Sequence, residues 1–225
     1  MGARAKAVFP LAFVIGILSF LWTEFSLNFT FHWVTKGDKV LAGLGDPKNF
    51  HLILPTAFIS WGLFFAAGGD NAAFGKVFLA CLIGSVAALI TMGLSFKTAD
   101  IPDFWGIALW VGIFAFLLVM ILVFGDWYYV AGTFPAFASV FLWWIATGLD
   151  GWVPAPVSGS ELPVFGTKGV AAFGTGAAAG LISTPWTWVW FSSFITLVCG
   201  CILGIVSAKV TAAITPKPKV AAEAA

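Results

Sequence analysis

The chain has 225 residues, 60% of them hydrophobic and 9% charged, with a mean hydropathy of +1.01. So apolar a composition excludes an ordinary soluble domain and places the chain in a bilayer. Eleven basic residues against ten acidic ones leave a net charge of +1, which gives no polybasic face for nucleic acid or anionic lipid.

The N-terminus, Met1-Gly2-Ala3-Arg4-Ala5-Lys6 ahead of an apolar run, has the outline of a signal peptide. No small-x-small cleavage site precedes Glu24, so an uncleaved first span is expected. Six runs reach the roughly 20 apolar residues that a hydrocarbon core about 30 Å thick requires. They lie at about 8–28, 51–69, 73–95, 104–124, 127–148 and 185–208. The predicted fold is therefore all-α: a polytopic bundle of six transmembrane helices forming one domain over 1–210, with a flexible tail at 211–225. An even number of spans puts both termini on one side. Arg4, Lys6, Lys76, Lys209, Lys217 and Lys219 then share a face, against Lys36, Lys39, Lys48, Lys97 and Lys168 on the other, and the positive-inside bias makes the termini cytoplasmic.

Trp33, Trp105, Trp152, Trp186, Trp188 and Trp190 fall near the outer level, and Trp127 with Tyr128 and Tyr129 marks the inner one. Amphipathic rings prefer those depths, although Trp186 to Trp190 fits a partner contact as well. Inner connections at Gly68-Gly69-Asp70 and Gly125-Asp126 are short. The outer ones are long: about 29–50, with turn residues at Lys36-Gly37-Asp38 and Gly45-Asp46-Pro47, and about 149–184. Within the latter, residues 164–182 read as a surface loop, an interfacial helix or a re-entrant segment.

Two small-residue seams stand out, Ala80/Gly84/Ala88 and Gly200/Gly204/Ala208. Small residues four apart let helix backbones approach closely in lipid. Further echoes follow in the same order: Gly16-Ile17-Leu18-Ser19-Phe20-Leu21 with Gly112-Ile113-Phe114-Ala115-Phe116-Leu117, and Ala57-Phe58-Ile59-Ser60 with Ala136-Phe137-Ala138-Ser139. Together they fit a 3+3 duplication with halves at 8–95 and 104–208, antiparallel in the membrane, as in many transporters. Short coincidences between apolar sequences are the competing explanation. Pro55 and Pro135, early in spans two and five, are expected to kink both helices.

Along Gly16 to Trp22, Ala131-Gly132-Thr133-Phe134 with its run to Gly151-Trp152, and Gly200 to Ala208, the chain resembles the YcdZ-like inner-membrane proteins, domain-of-unknown-function family 1097. The resemblance implies a small multi-span bacterial inner-membrane protein. It supplies no reaction and no functional residues to carry over, and the present chain has longer outer loops.

Chemistry-bearing residues are few. Glu24 is the ionisable group at membrane depth, four residues before Asn28 on one helical face, either lining a vestibule or meeting water at the headgroups. Thr56, Ser60, Thr133 and Ser139 surround the two prolines and offer hydroxyls to a neighbouring helix or a solute. His32 and His51 lack a third ligand, so no metal site is expected. Cys81, Cys199 and Cys201 read as small packing residues, and Asp70, Asp126 and Asp150 as helix caps. Gly166-Thr167-Lys168 lacks the rest of a P-loop. No hydrolase, zincin or haem pattern occurs, so neither an enzyme nor a bound cofactor is expected.

The leading functional expectation is a channel or transporter for a small neutral or weakly polar solute, lined by Glu24, Asn28, Thr56, Ser60, Thr133 and Ser139. The alternative is a non-catalytic accessory or scaffold subunit of a larger membrane complex. A lipid or pigment held between aromatic helices is a third reading that no residue selects. Expected partners are the lipid bilayer and a second copy or a membrane-complex subunit, with no nucleic acid.

Overall fold

The computed structural model describes residues 2–34, 50–101, 104–147, 149 and 185–215. The turns at 36–38 and 45–47, the 164–182 stretch, Trp152, Asp150 and the tail from 216 lie outside the described residues, as does the side chain of His32.

Every described element is helical. Helix α1 (Gly2–Leu27) widens into a π-helical extension at Asn28–Val34. It is followed by α2 (Leu54–Ala66), α3 (Asn71–Ser95) with a 3-10 turn at Phe96–Thr98, α4 (Trp105–Met120) with a 3-10 turn at Ile121–Phe124, α5 (Val130–Ala146) and α6 (Trp186–Ile214). Among the described residues four stretches are long and apolar enough to cross a membrane: Arg4–Phe31, Asn71–Thr98, Trp105–Phe124 and Trp186–Ile214. Helices α2 and α5, with 13 and 17 residues, are shorter than the spans of about 20 that the sequence predicts. Helix α6 runs on to Ile214, six residues beyond its predicted end.

Local chemistry explains the shortened ends. Pro55 sits in the first turn of α2, where a missing N–H costs nothing. It therefore opens the helix instead of kinking it, whereas Pro135 lies inside α5. At the other end of α2 the chain passes through Gly68 and Gly69 at φ +123° and +72°, a region that a side chain would strain. The N–H groups of Ala67, Gly68 and Gly69 turn back to Leu63, Phe65 and Phe64 carbonyls at 2.9, 3.1 and 3.0 Å. Asp70 then caps α3 by accepting from the Ala73 N–H at 2.7 Å. Asp126, by contrast, caps no helix, since α5 starts after Tyr129 without a side-chain cap.

Helices α2, α3, α5 and α6 form the interior, and α1 and α4 lie outside it. In their most apolar windows α1 and α4 are only 11% and 6% buried, against 50% for α3 and 44% for α6. The inner helices pair in a definite way. Gly84 of α3 lies on Thr133, Ala136 and Phe137 of α5, and Ala80 meets Gly132 one turn earlier on both, so the two helices run parallel. Gly200 of α6 lies on Ala57 and Ser60 of α2, and Gly204 on Phe64, again in parallel. Helices α3 and α6 cross antiparallel: Cys81 and Cys201 share a cluster with Val77, Ala136 and Leu197, and Phe96 meets Trp186 with ring centroids 5.0 Å apart. One end of the bundle is thus marked by Asp70 and the other by His51.

At both glycine contacts a Cβ would run into backbone of the facing helix, so no rotamer change can relieve it. Gly84→Leu and Gly200→Leu should each cost about 1–3 kcal/mol by overpacking. Gly62→Ala, where nothing lies within 4 Å of the added carbon, should be neutral or stabilising through helix propensity. Thermal unfolding in detergent micelles compares the three.

Candidate functional site

Helix α2 has 13 residues, or about 20 Å at 1.5 Å per residue, well short of a hydrocarbon core about 30 Å thick. Non-helical backbone at residues 50–53 leads into it, with Ile53 at φ −94° and ψ 96°. Such backbone is tolerated in a bilayer only where protein or water satisfies its polar groups. Here three hydroxyls from two other helical elements do so. The His51 N–H donates to Ser192 Oγ at 3.0 Å, the Leu52 N–H to Thr30 Oγ1 at 2.9 Å, and the Ile53 N–H to Thr196 Oγ1 at 3.2 Å. Thr30 Oγ1 also donates to the Leu52 carbonyl at 3.0 Å, and Thr196 Oγ1 to the Ser192 carbonyl at 2.7 Å.

Around this segment several buried polar atoms have no hydrogen-bond partner: His51 Nδ1, Thr56 Oγ1, Trp143 Nε1 and Ser193 Oγ. His51 is 2% exposed, and Thr56 and Ser193 are fully buried. The His51 ring stands edge-on to Trp143 with centroids 6.0 Å apart. Thr56 and Ser193 lie on the parallel, closely packed helices α2 and α6. One turn further along, Ser60 Oγ donates to the Leu197 carbonyl at 2.7 Å, and stepping back four residues on each helix gives Thr56 and Ser193. The result is a polar node at the start of α2, closed in by α5 and α6.

Of the residues expected to line a path, Thr56 belongs to this node. Ser60, Thr133 and Ser139 are also buried, but their hydroxyls donate to carbonyls, Ser60 to Leu197 on α6, Thr133 to Tyr129 at 3.1 Å and Ser139 to Pro135 at 2.8 Å. Glu24 and Asn28 stand elsewhere, on the exposed side of α1, joined by a bond from Asn28 Nδ2 to Glu24 Oε1 at 2.9 Å. The structure does not bring these six residues together. Of the seam residues, Ala80, Gly84, Ala88, Gly200 and Gly204 are buried, and Ala208 is half-buried. Cys81 and Cys201 are buried free thiols, and Cys199 is half-buried. Among the described residues no three His, Cys, Asp or Glu side chains gather.

Sequence reasoning passed over Ser192, Ser193 and Thr196, and considered His51 only as a metal ligand. A signal was present in Ser192-Ser193-x-x-Thr196, three hydroxyls within two turns of an otherwise apolar span.

A family model described as protein of unknown function (DUF1097) matches residues 12–212, which runs from within α1 to within the last turn of α6. The chain belongs to the DUF1097 family. The match agrees with the family resemblance read from Gly16–Trp22 and Gly200–Ala208, and the family's description carries no activity. No curated protein and no solved structure matches this DUF1097 chain.

Replacing Thr30 or Thr196 by the near-isosteric valine leaves a backbone N–H of 52 or 53 buried without an acceptor. Each change should cost about 1–3 kcal/mol and raise amide hydrogen exchange at 51–53 while α3 and α5 stay protected. Exchange measured by mass spectrometry on the detergent-solubilised protein reads both effects.

Proposed function

We propose that this DUF1097 protein is a transporter of small neutral or weakly polar solutes, without a reaction of its own, built as an inverted repeat of two three-helix halves. The observation that carries the reading is that exchanging the halves maps the helix pairs onto one another. Helix α3 on α5 becomes α6 on α2, both parallel and both seated on a glycine, while the α3–α6 crossing maps onto itself as an antiparallel pair. The outlying helices exchange too, since α4 packs beside α3 as α1 packs beside α6. Inverted repeats with binding groups at the repeat interface are the plan of many secondary transporters.

The contacts favour a register one helical turn away from the one read in the sequence. Gly84 and Gly200 both lie on the alanines Ala136 and Ala57, which the sequence echo already pairs. Gly84 therefore answers to Gly200, and Ala88 to Gly204. A discontinuous helix at membrane depth, which α2 with its non-helical lead-in forms, is a recurrent element of such transporters. The enclosed hydroxyls of Thr56 and Ser193 fit an occluded state better than an open pore. Arg4, Lys6, Lys76 and Lys209 at the Asp70 end, against Lys97 at the other, support cytoplasmic termini in a bacterial inner membrane.

The rival reading, an accessory subunit of a membrane complex, draws on the cleft of about 440 Å³ bordered by Leu89, Trp186, Trp188, Trp190 and Phe191. Uptake into proteoliposomes decides for or against transport. Acetamide, urea, glycerol and acetic acid are the panel, and at least one should enter faster than into empty liposomes, saturably, with Gly200→Leu slowing it. No flux across the panel, together with stoichiometric unlike subunits after mild-detergent purification, would establish the rival instead.

A further inference from the structure

From the node at the start of α2 we infer a binding site for a small uncharged carbonyl compound, a carboxamide or an undissociated carboxylic acid, held by His51, Thr56, Trp143 and Ser193. The inference deepens the transport reading and rests on it for the direction of movement, but not for binding itself.

Of the seven buried side-chain polar atoms without a partner among the described residues, four belong to residues around the start of α2, a concentration that packing alone does not explain. A buried polar group without a partner costs about 1–3 kcal/mol, and native interiors leave few such groups. The neighbouring backbone shows how completely polar groups are satisfied here, since three successive N–H groups at 51–53 each have a hydroxyl. Yet His51 Nδ1, Thr56 Oγ1, Trp143 Nε1 and Ser193 Oγ stay open beside them. Ser60, one turn from Thr56, spends its hydroxyl on a carbonyl of α6, so the same helix pair does satisfy hydroxyls where nothing else is required.

The donor set selects the ligand. An indole N–H only donates, whereas a hydroxyl donates and accepts. The N-terminus of α2 adds the positive end of a 13-residue helix. Trp143 and the helix end therefore favour an acceptor such as a carbonyl oxygen, and Thr56 and Ser193 offer acceptors for an adjacent N–H or O–H. The described charges on the inner helices, Asp70, Lys76, Lys97 and Lys209, stand at or near the two ends of the bundle. A charged solute would lose its hydration beside no counter-ion, at a cost that an uncharged one avoids. Amides and protonated acids share the required chemistry, a carbonyl next to a proton donor.

The test uses the full chain in lipid nanodiscs with ¹⁵N-labelled tryptophan, the Trp143 indole signal being assigned with Trp143→Phe. Acetamide should shift that signal saturably, as should acetic acid below its pKa but not acetate at pH 8. His51→Ala, which keeps the backbone bond to Ser192, and Thr56→Val should each weaken acetamide binding about tenfold, the loss of one hydrogen bond. Thr215→Val, at the far end of α6, should leave it unchanged. Circular dichroism and size-exclusion profiles establish that each variant is folded. Uptake by proteoliposomes with no perturbation of Trp143, or a perturbation that survives both variants, would overturn the site and leave transport standing. A saturable shift lost in both variants, without flux, would keep the site and overturn transport.

Discussion

Water is absent from the middle of a bilayer, so backbone that leaves the helix there must find its hydrogen bonds in protein. In this DUF1097 protein the buried, non-helical backbone at residues 51–53 is in the same position inside the protein, and hydroxyls from the end of α1 and from α6 supply its partners. Much of the architecture follows. Thr30 ties the π-helical extension of α1 to the lead-in of α2, and Ser192 and Thr196 fix α6 against it in a parallel register. Helix α2 can begin late, leaving His51 and Thr56 inside the bundle.

The second determinant is steric. Lipid tails offer no hydrophobic drive for helices to associate, so close packing supplies the attraction. Gly84 and Gly200 supply it by letting α3 reach the backbone of α5 and α6 that of α2. Serines and threonines at these seams are small enough to fit, and most return their hydroxyls to a carbonyl one turn back, as Thr133 and Ser139 do. Those bonded to local carbonyls, such as these, are packing residues, and the unpartnered ones at the start of α2 are candidates for function.

Helices α1 and α4 obey neither determinant closely. Phe20, Trp105, Phe116 and Val123 are among their strongly exposed apolar residues, as expected of helices that meet lipid with most of their surface. Glu24 belongs to this outer layer, which explains why it stands apart from the buried hydroxyls.

By itself the sequence determined the class of molecule. An apolar composition with six runs admits little but a helical bundle, because a lipid environment requires backbone bonds to close within each segment. The small-residue seams were legible for the same reason, since glycine four apart from alanine in an apolar run has few other uses, and most of them lie at the interior contacts. Tertiary structure decided the rest. Whether Pro55 kinks a helix or opens one depends on what satisfies the residues ahead of it, and the acceptors come from residues 30, 192 and 196, far away in sequence. Whether a buried threonine is a packing residue or an open donor depends on whether a carbonyl or another hydroxyl lies within reach, which composition and spacing do not encode. The polar node exists only because α2, α5 and α6 meet at one end, and hydrogen bonds over about 3 Å are settled by that meeting alone.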